Sequence, residues 1–120
     1  MPGLLHIKRV YDPPSQDDGA RILVDRIWPR GLRRDEAQLT TWMKDLAPTT
    51  ALRKWFAHDP ARFDEFKVRY HDELDRNGDG IAKLEAFIKE GSVTLLYGAK
   101  DAAHNNAVVL AEYIEGKLSR

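Results

Sequence analysis

The chain of 120 residues contains no cysteine. This absence excludes disulfide bonds, metal sites built on thiolates and cysteine nucleophiles. No stretch approaches the ~18 consecutive apolar residues of a membrane-spanning helix, and the first residues lack the pattern of a secretory signal. We therefore expect a cytoplasmic protein that makes no membrane contact.

The chain also lacks net charge, because 19 basic residues balance 19 acidic ones. A neutral chain is not suited, as a whole molecule, to coat nucleic acid or an anionic membrane. The charge is nevertheless uneven. Residues 21–34 contain five arginines and one acid, Asp25. This arginine-rich segment is the first candidate for a functional site.

The length and the ordinary balance of 42% hydrophobic and 32% charged residues predict a single globular domain over residues 1–120. Apolar patterns predict strands, and helical spacing with capping residues predicts helices. The expected strands span 4–11, 20–28 and 93–97, with a loop over 12–19. The expected helices span 36–46, a short segment after Thr49 or Thr50, a segment after Asp59-Pro60, then 81–89 and 102–118. The predicted fold class is α/β, a small and mainly parallel sheet of about three strands packed with four to five helices.

In parallel sheets, ligands bind in the crevice beyond the carboxyl ends of the strands. The strands predicted at 20–28 and 93–97 end in polar segments. We therefore expect residues 25–34 and 97–106 to meet at one edge of the sheet, although roughly 70 residues separate them in the chain.

The first of these segments combines two arginines with an aromatic ring. Arg26 and Arg30 carry planar guanidinium groups that suit carboxylate and phosphate, and Trp28 can stack on a guanidinium or on a flat ligand. The alternative is structural, with Asp25 paired to one of these arginines and Trp28 in the core. Arg33 and Arg34 are expected at the surface.

The second segment is a strand end, a turn and the start of a helix. The first amides of a helix attract anions, and Lys100 adds a positive charge at the same place. Asp101 is expected to cap the helix or to take part in proton transfer. His104 is a candidate general base, ligand contact or structural histidine. Asn105 or Asn106 is expected to make a specific hydrogen bond, because asparagine is a poor helix former.

No metal or cofactor is expected. Residues 75–80 match the first half of a calcium-binding loop, but the glutamate that such a loop needs at its twelfth position is replaced by Ala86. Glu85 lies one position short, which on a helix turns the side chain by ~100°. A turn between two helices is the prediction for this segment. Neither of the two glycine-rich phosphate loops is present.

Several ungapped blocks of the sequence resemble the YeaO-like family, a group of small bacterial and archaeal proteins classed as a domain of unknown function. The blocks are 8–12, 24–31, Trp55-Phe56 with His58-Asp59-Pro60, 95–101 and His104-Asn105. The resemblance implies a compact α/β fold and no established activity. Longer proteins of the wider superfamily are similar to the chain but have an extra helix between the first two strands and cysteines in the block matching 97–106. This chain has Tyr97 and Asn105 or Asn106 there, so the resemblance implies no metal or thiol chemistry for it.

The leading hypothesis is a pocket for a small phosphate- or carboxylate-bearing ligand at the carboxyl edge of the sheet. The residues expected to clamp the anion are Arg26, Arg30 and Lys100. The candidates for proton transfer are Asp25, Asp101 and His104. The expected pocket walls are Trp28, Trp55 and Tyr97, and Asn105 is expected to make a polar contact. Two alternatives stay open: a nucleic-acid-binding module that uses the arginine-rich segment, and a protein-interaction domain in which the Arg–Asp network is structural. Two further questions are open as well: whether the protein catalyses a reaction, and what its oligomeric state is.

Overall fold

A computed structural model describes residues 4–118, and within them four parallel strands form one sheet. The strands are β1 (Leu5–Arg9), β2 (Ala20–Leu23), β3 (Thr41–Trp42) and β4 (Val93–Tyr97). Their order in the sheet is β1-β4-β2-β3, so β4 lies between β1 and β2. The predicted α/β class with a parallel sheet is confirmed, and a two-residue fourth strand extends it.

The same part of the chain contains five α-helices and three short 3₁₀ helices. The α-helices are α1 (Arg34–Ala37), α2 (Thr50–Phe56), α3 (Phe63–Asp75), α4 (Gly78–Glu90) and α5 (Asn106–Leu118), and the 3₁₀ helices span Gln16–Asp18, Lys44–Leu46 and Pro60–Arg62. Two predicted helix starts are confirmed, because Thr49 caps α2 and Asp59 caps the 3₁₀ turn that leads into α3. None of the helices in residues 4–118 is long and apolar enough to cross a membrane.

The two faces of the sheet are covered in different ways. On one face, α2 to α5 pack against strand residues to form the main core, in which the predicted stripe of α3 is buried. The opposite face has a smaller core of Val10, Leu23 and Leu96. The side chains that pack against this second core come from loops, among them Trp28, and from strand β3, which contributes Trp42.

The prediction of a helix over 36–46 is wrong. The short helix α1 ends at Ala37, Gln38 adopts a left-handed conformation with φ 46°, and residues 41–42 form β3 instead. The apolar residues of this segment have helical spacing but serve two different cores. Leu39 and Trp42 pack in the smaller core, whereas Leu46 is buried in the main core, so one helical face could not place all three.

The strand predicted over 20–28 is too long, and the helix predicted over 102–118 begins too early. Strand β2 ends at Leu23, because side chains rather than a neighbouring strand take the next two carbonyl groups: Asn106 Nδ2 donates to Val24 O and Trp42 Nε1 to Asp25 O. Helix α5 begins only at Asn106, since the Asp101 carboxylate accepts hydrogen bonds from the backbone of a separate turn before it. The loop predicted over 12–19 contains the first 3₁₀ helix, which Ser15 caps.

Candidate functional site

A cavity of about 470 Å³ opens beyond the carboxyl ends of β2 and β4. Most of its walls come from the segment after β2, the turn after β4, the start of α5 and the end of α2, and Tyr11, Pro48 and Phe66 of α3 complete them. The lining residues are Tyr11, Asp25, Arg26, Ile27, Trp28, Pro29, Arg30, Pro48, Arg53, Phe56, His58, Phe66, Gly98, Ala99, Asn105 and Asn106. The two segments that the parallel-sheet rule places together therefore do contribute to one concave surface.

Asp25 is the acid in this lining, and its carboxylate is held on both oxygens. The backbone N–H of Gly98 donates to Oδ2 at 2.8 Å, and Asn106 Nδ2 donates to Oδ1 at 3.1 Å. Burial raises the pKa of Asp25, while these two hydrogen bonds and the charges of His58 and Arg53 act in the opposite direction. A side chain at position 98 would place its Cβ 3.1 Å from Oδ2, so glycine keeps room for the carboxylate.

Arg53, on α2, faces the same cavity and was missed by the sequence analysis. Its Nε atom is buried and has no hydrogen-bond partner within the described residues. Buried polar atoms in folded proteins are nearly always paired, and an unpaired one costs ~1–3 kcal/mol. A sequence signal was available, because Arg53 follows the buried Leu52 and precedes the buried Phe56 by three positions on a short helix. Arg53 therefore lies beside the apolar stripe of α2.

The turn after α2 adds His58, which the sequence analysis also did not assign to this site. Ala57 and His58 are consecutive non-glycine residues in the left-handed region, with φ of 50° and 57°. Such a conformation costs an L-residue ~1–2 kcal/mol and is kept where the surrounding structure requires it. Here it brings His58 to the cavity, where its electrostatic effect on Asp25 opposes the rise in pKa that burial causes.

Arg26 and Arg30, the predicted anion clamp, line the cavity in different ways. The Arg26 guanidinium donates to Pro48 O at 2.9 Å and to Ala47 O at 3.2 Å, so it fastens the 47–48 loop to the sheet edge. Arg30 is exposed at the cavity mouth, and its carbonyl group accepts a 2.6 Å hydrogen bond from Tyr11 Oη. Arg30 is thus available to a ligand, whereas Arg26 is largely committed to the fold.

Five of the predicted site residues lie outside the cavity lining: Trp55, Tyr97, Lys100, Asp101 and His104. Tyr97 is buried in the main core, and Trp55 packs against the guanidinium groups of Arg62 and Arg69. Lys100 is exposed.

Asp101 and His104 form a pair of their own, with Oδ2 and Nδ1 2.8 Å apart. A hydrogen bond from Ala103 N, together with the one from His104, lowers the pKa of Asp101. Contrary to the prediction, Asp101 does not cap α5. Asn105 does so, since its Oδ1 accepts from Val108 N. Asn105 also remains in the cavity lining.

Within residues 4–118, no cluster of three or more His, Asp or Glu side chains that could hold a metal ion occurs. The segment that resembles half a calcium loop is a turn between α3 and α4, as predicted. Asn77 caps α4 by accepting from Gly80 N, and its Nδ2 donates to Asp45 O.

Comparison with known proteins gives consistent matches over almost the whole chain. The model of a family described as the inactive DUF488-N3 subclade matches residues 4–120. An uncharacterised protein of Mycobacterium tuberculosis strain H37Rv is 41% identical over 113 residues, which cover 94% of this chain and 95% of the relative. The uncharacterised protein YeaO of Escherichia coli K12 is 41% identical over 110 residues, covering 92% and 96%. No solved structure matches the chain.

Proposed function

The chain belongs to the YeaO-like family, within the inactive DUF488-N3 subclade, and on this premise we propose that it binds a small anionic ligand at the carboxyl edge of its sheet. The word "inactive" in the family's description favours binding over catalysis. The ligand carries a phosphate or carboxylate group, and Arg53 is the residue that receives it.

The observation that carries this proposal is the buried Nε of Arg53, which lies in a cavity of about 470 Å³ and has no hydrogen-bond partner among residues 4–118. A guanidinium group has five N–H donors in a planar fork and binds carboxylate or phosphate with two of them at once. The cavity lining contains three arginines against one acid, Asp25. An anion in the cavity would supply the missing acceptor and meet a favourable local charge.

The nucleic-acid alternative depends on the arginines of residues 21–34 acting together at a surface. Arg21 is buried, pairs with Asp18 and donates to Ala37 O, and Arg26 is held by backbone carbonyls. The Trp28 ring is also engaged, because Arg34 lies 4.5 Å from its centroid and Trp42 packs edge-on at 5.5 Å. These contacts favour the ligand pocket over a surface that binds a nucleic-acid strand.

The test is calorimetric titration of inorganic phosphate into the protein and two variants, Arg53→Met and Lys54→Met. Methionine keeps the aliphatic stem of Arg53 and removes its charged donors. Lys54 is exposed on the same helix and loses the same charge, so it controls for long-range electrostatics. We expect Arg53→Met to weaken binding by roughly tenfold or more, as for the loss of a charged hydrogen bond, and Lys54→Met to bind like the parent protein.

Two results would overturn the proposal: a parent protein that binds neither phosphate, sulfate nor acetate at low salt, or a folded Arg53→Met protein that binds as tightly as the parent. Circular dichroism and the urea midpoint establish that each variant is folded. Amide chemical shifts locate the anion, and those of Gly98 and Ala99 in the cavity wall should move.

A further inference from the structure

The cavity contains a fixed hydrogen-bond acceptor, the Asp25 carboxylate, as well as the donor Arg53. Each oxygen of the Asp25 carboxylate takes one hydrogen bond, from Gly98 N or from Asn106 Nδ2. A carboxylate oxygen can accept two hydrogen bonds, so each oxygen keeps one free acceptor position. The carboxylate is therefore fixed in direction by two donors and still able to bind a third group.

A bare anion does not explain this arrangement, because a carboxylate in the wall repels it. Removing Asp25 would make the cavity a better site for phosphate alone. Instead, the fold retains the acid and holds it with an asparagine that lies 81 positions along the chain. A ligand that has an anionic group for Arg53 and a hydrogen-bond donor for Asp25 satisfies both side chains at once.

The size and walls of the cavity point the same way. A volume of 470 Å³ is room for roughly fifteen water molecules, far more than inorganic phosphate fills. Much of the wall is apolar, with Phe56, Phe66 and Trp28 among its residues. Small-molecule sites of this kind combine apolar walls with a few polar groups that fix the orientation of the ligand.

We propose that the ligand is a small organic anion that also carries a hydrogen-bond donor, a hydroxyl or an ammonium group, with its anionic end at Arg53 and its donor at Asp25. This inference rests on the proposed function and narrows the class of ligand. Carbon atoms between the two ends lie against the aromatic wall.

Matched pairs of phosphate esters test the inference on the intact protein. α-Glycerophosphate and n-propyl phosphate have the same carbon skeleton and differ in two hydroxyl groups, while phosphoethanolamine and ethyl phosphate differ in one ammonium group. We expect at least one donor-bearing ester to bind roughly tenfold more tightly than its partner. The Asp25→Asn variant should lose that preference, and Asp72→Asn, an exposed control on α3, should keep it.

The outcomes separate the inference from the proposed function. Equal affinity within both pairs overturns the inference and leaves anion binding intact, whereas no binding of any phosphate compound overturns both. A preference that persists in Asp25→Asn overturns the role of Asp25. If that variant does not fold, the Gly98 amide shift of the parent protein reports on the same carboxylate, and it must respond more to the donor-bearing ester.

Discussion

Replacement of Asp18 by alanine tests how far the buried charges of this fold stabilise it. Asp18 is 6% exposed, pairs with Arg21 and Lys8, and accepts a 2.9 Å hydrogen bond from Ser15 N. Arg21 is 4% exposed, and its Nε and Nη2 atoms each donate to Ala37 O. The variant removes the charge partner of a buried guanidinium group.

The expected loss is about 3 kcal/mol in the free energy of unfolding, the low end of the range for breaking a buried ion pair on one side. The low end applies because Lys8 is 23% exposed at its side chain and can turn to solvent, and because Arg21 keeps its bonds to Ala37 O. For 120 residues the unfolding entropy is about 0.25 kcal/mol per degree, so the Tm should fall by roughly 12 °C.

A second Arg–Asp pair provides the control. Arg33 and Asp35 lie 3.3 Å apart, but both side chains are 71% exposed. Asp35→Ala should cost less than ~0.5 kcal/mol, since solvent screens exposed pairs. Urea denaturation measures both variants by their midpoints at an unchanged m-value. Equal effects of the two substitutions would refute the reasoning that burial decides the value of these pairs.

The same cluster predicts a dependence on pH. Burial opposes the charge on Asp18, but hydrogen bonds from Ser15, Arg21 and Lys8 outweigh it and lower its pKa below the ordinary 3.8. A lowered folded-state pKa gives stability that is present above the ordinary value and is lost as the pH falls through the folded value. The stability gap between the parent protein and Asp18→Ala should therefore narrow below about pH 4 and stay constant above it.

Two further predictions concern the backbone around the cavity. Ala57→Gly should stabilise the protein by about 0.5–1 kcal/mol, because glycine adopts a φ of 50° without steric cost. Ala51→Gly, inside helix α2 that ends just before Ala57, should destabilise the protein by a similar amount. Urea midpoints that shift in the same direction for both variants would contradict this. Trp42→Phe should lower the free energy of unfolding by about 1 kcal/mol or more, because Asp25 O loses its 2.6 Å hydrogen bond from the indole N–H. An unchanged urea midpoint would contradict this prediction and show that another donor replaces the indole N–H.

The elements that the sequence predicts well are those in which neighbours in the chain do the stabilising. Helix α3 buries the stripe of Phe63, Phe66, Tyr70 and Leu74, and it follows the capped turn at Asp59. These features depend on residues two to four positions apart, which a pattern can show. Pattern-based prediction fails for residues 36–46, because their apolar side chains contact two cores on opposite faces of the sheet.

Half of the predicted site residues do line the cavity: Asp25, Arg26, Trp28, Arg30 and Asn105. The rule that parallel strands share a carboxyl edge brought these residues together, because it depends only on strand direction, but it also selected four residues outside the lining: Tyr97, Lys100, Asp101 and His104. Arg53 and His58 were missed, since they reach this edge through the packing of α2 and the left-handed turn that follows it.

The sequence by itself determined the class of fold, the family and the two polar segments that follow β2 and β4. Only the tertiary structure decided which charges find their hydrogen-bond partners inside the fold. Arg21 and Arg26 are used inside the fold, whereas the buried Nε of Arg53 has no partner in the described part of the chain and shares a cavity with the fixed carboxylate of Asp25. The physical reason is that the role of a charge depends on which hydrogen-bond partners lie within about 3 Å, and those partners come from distant parts of the chain.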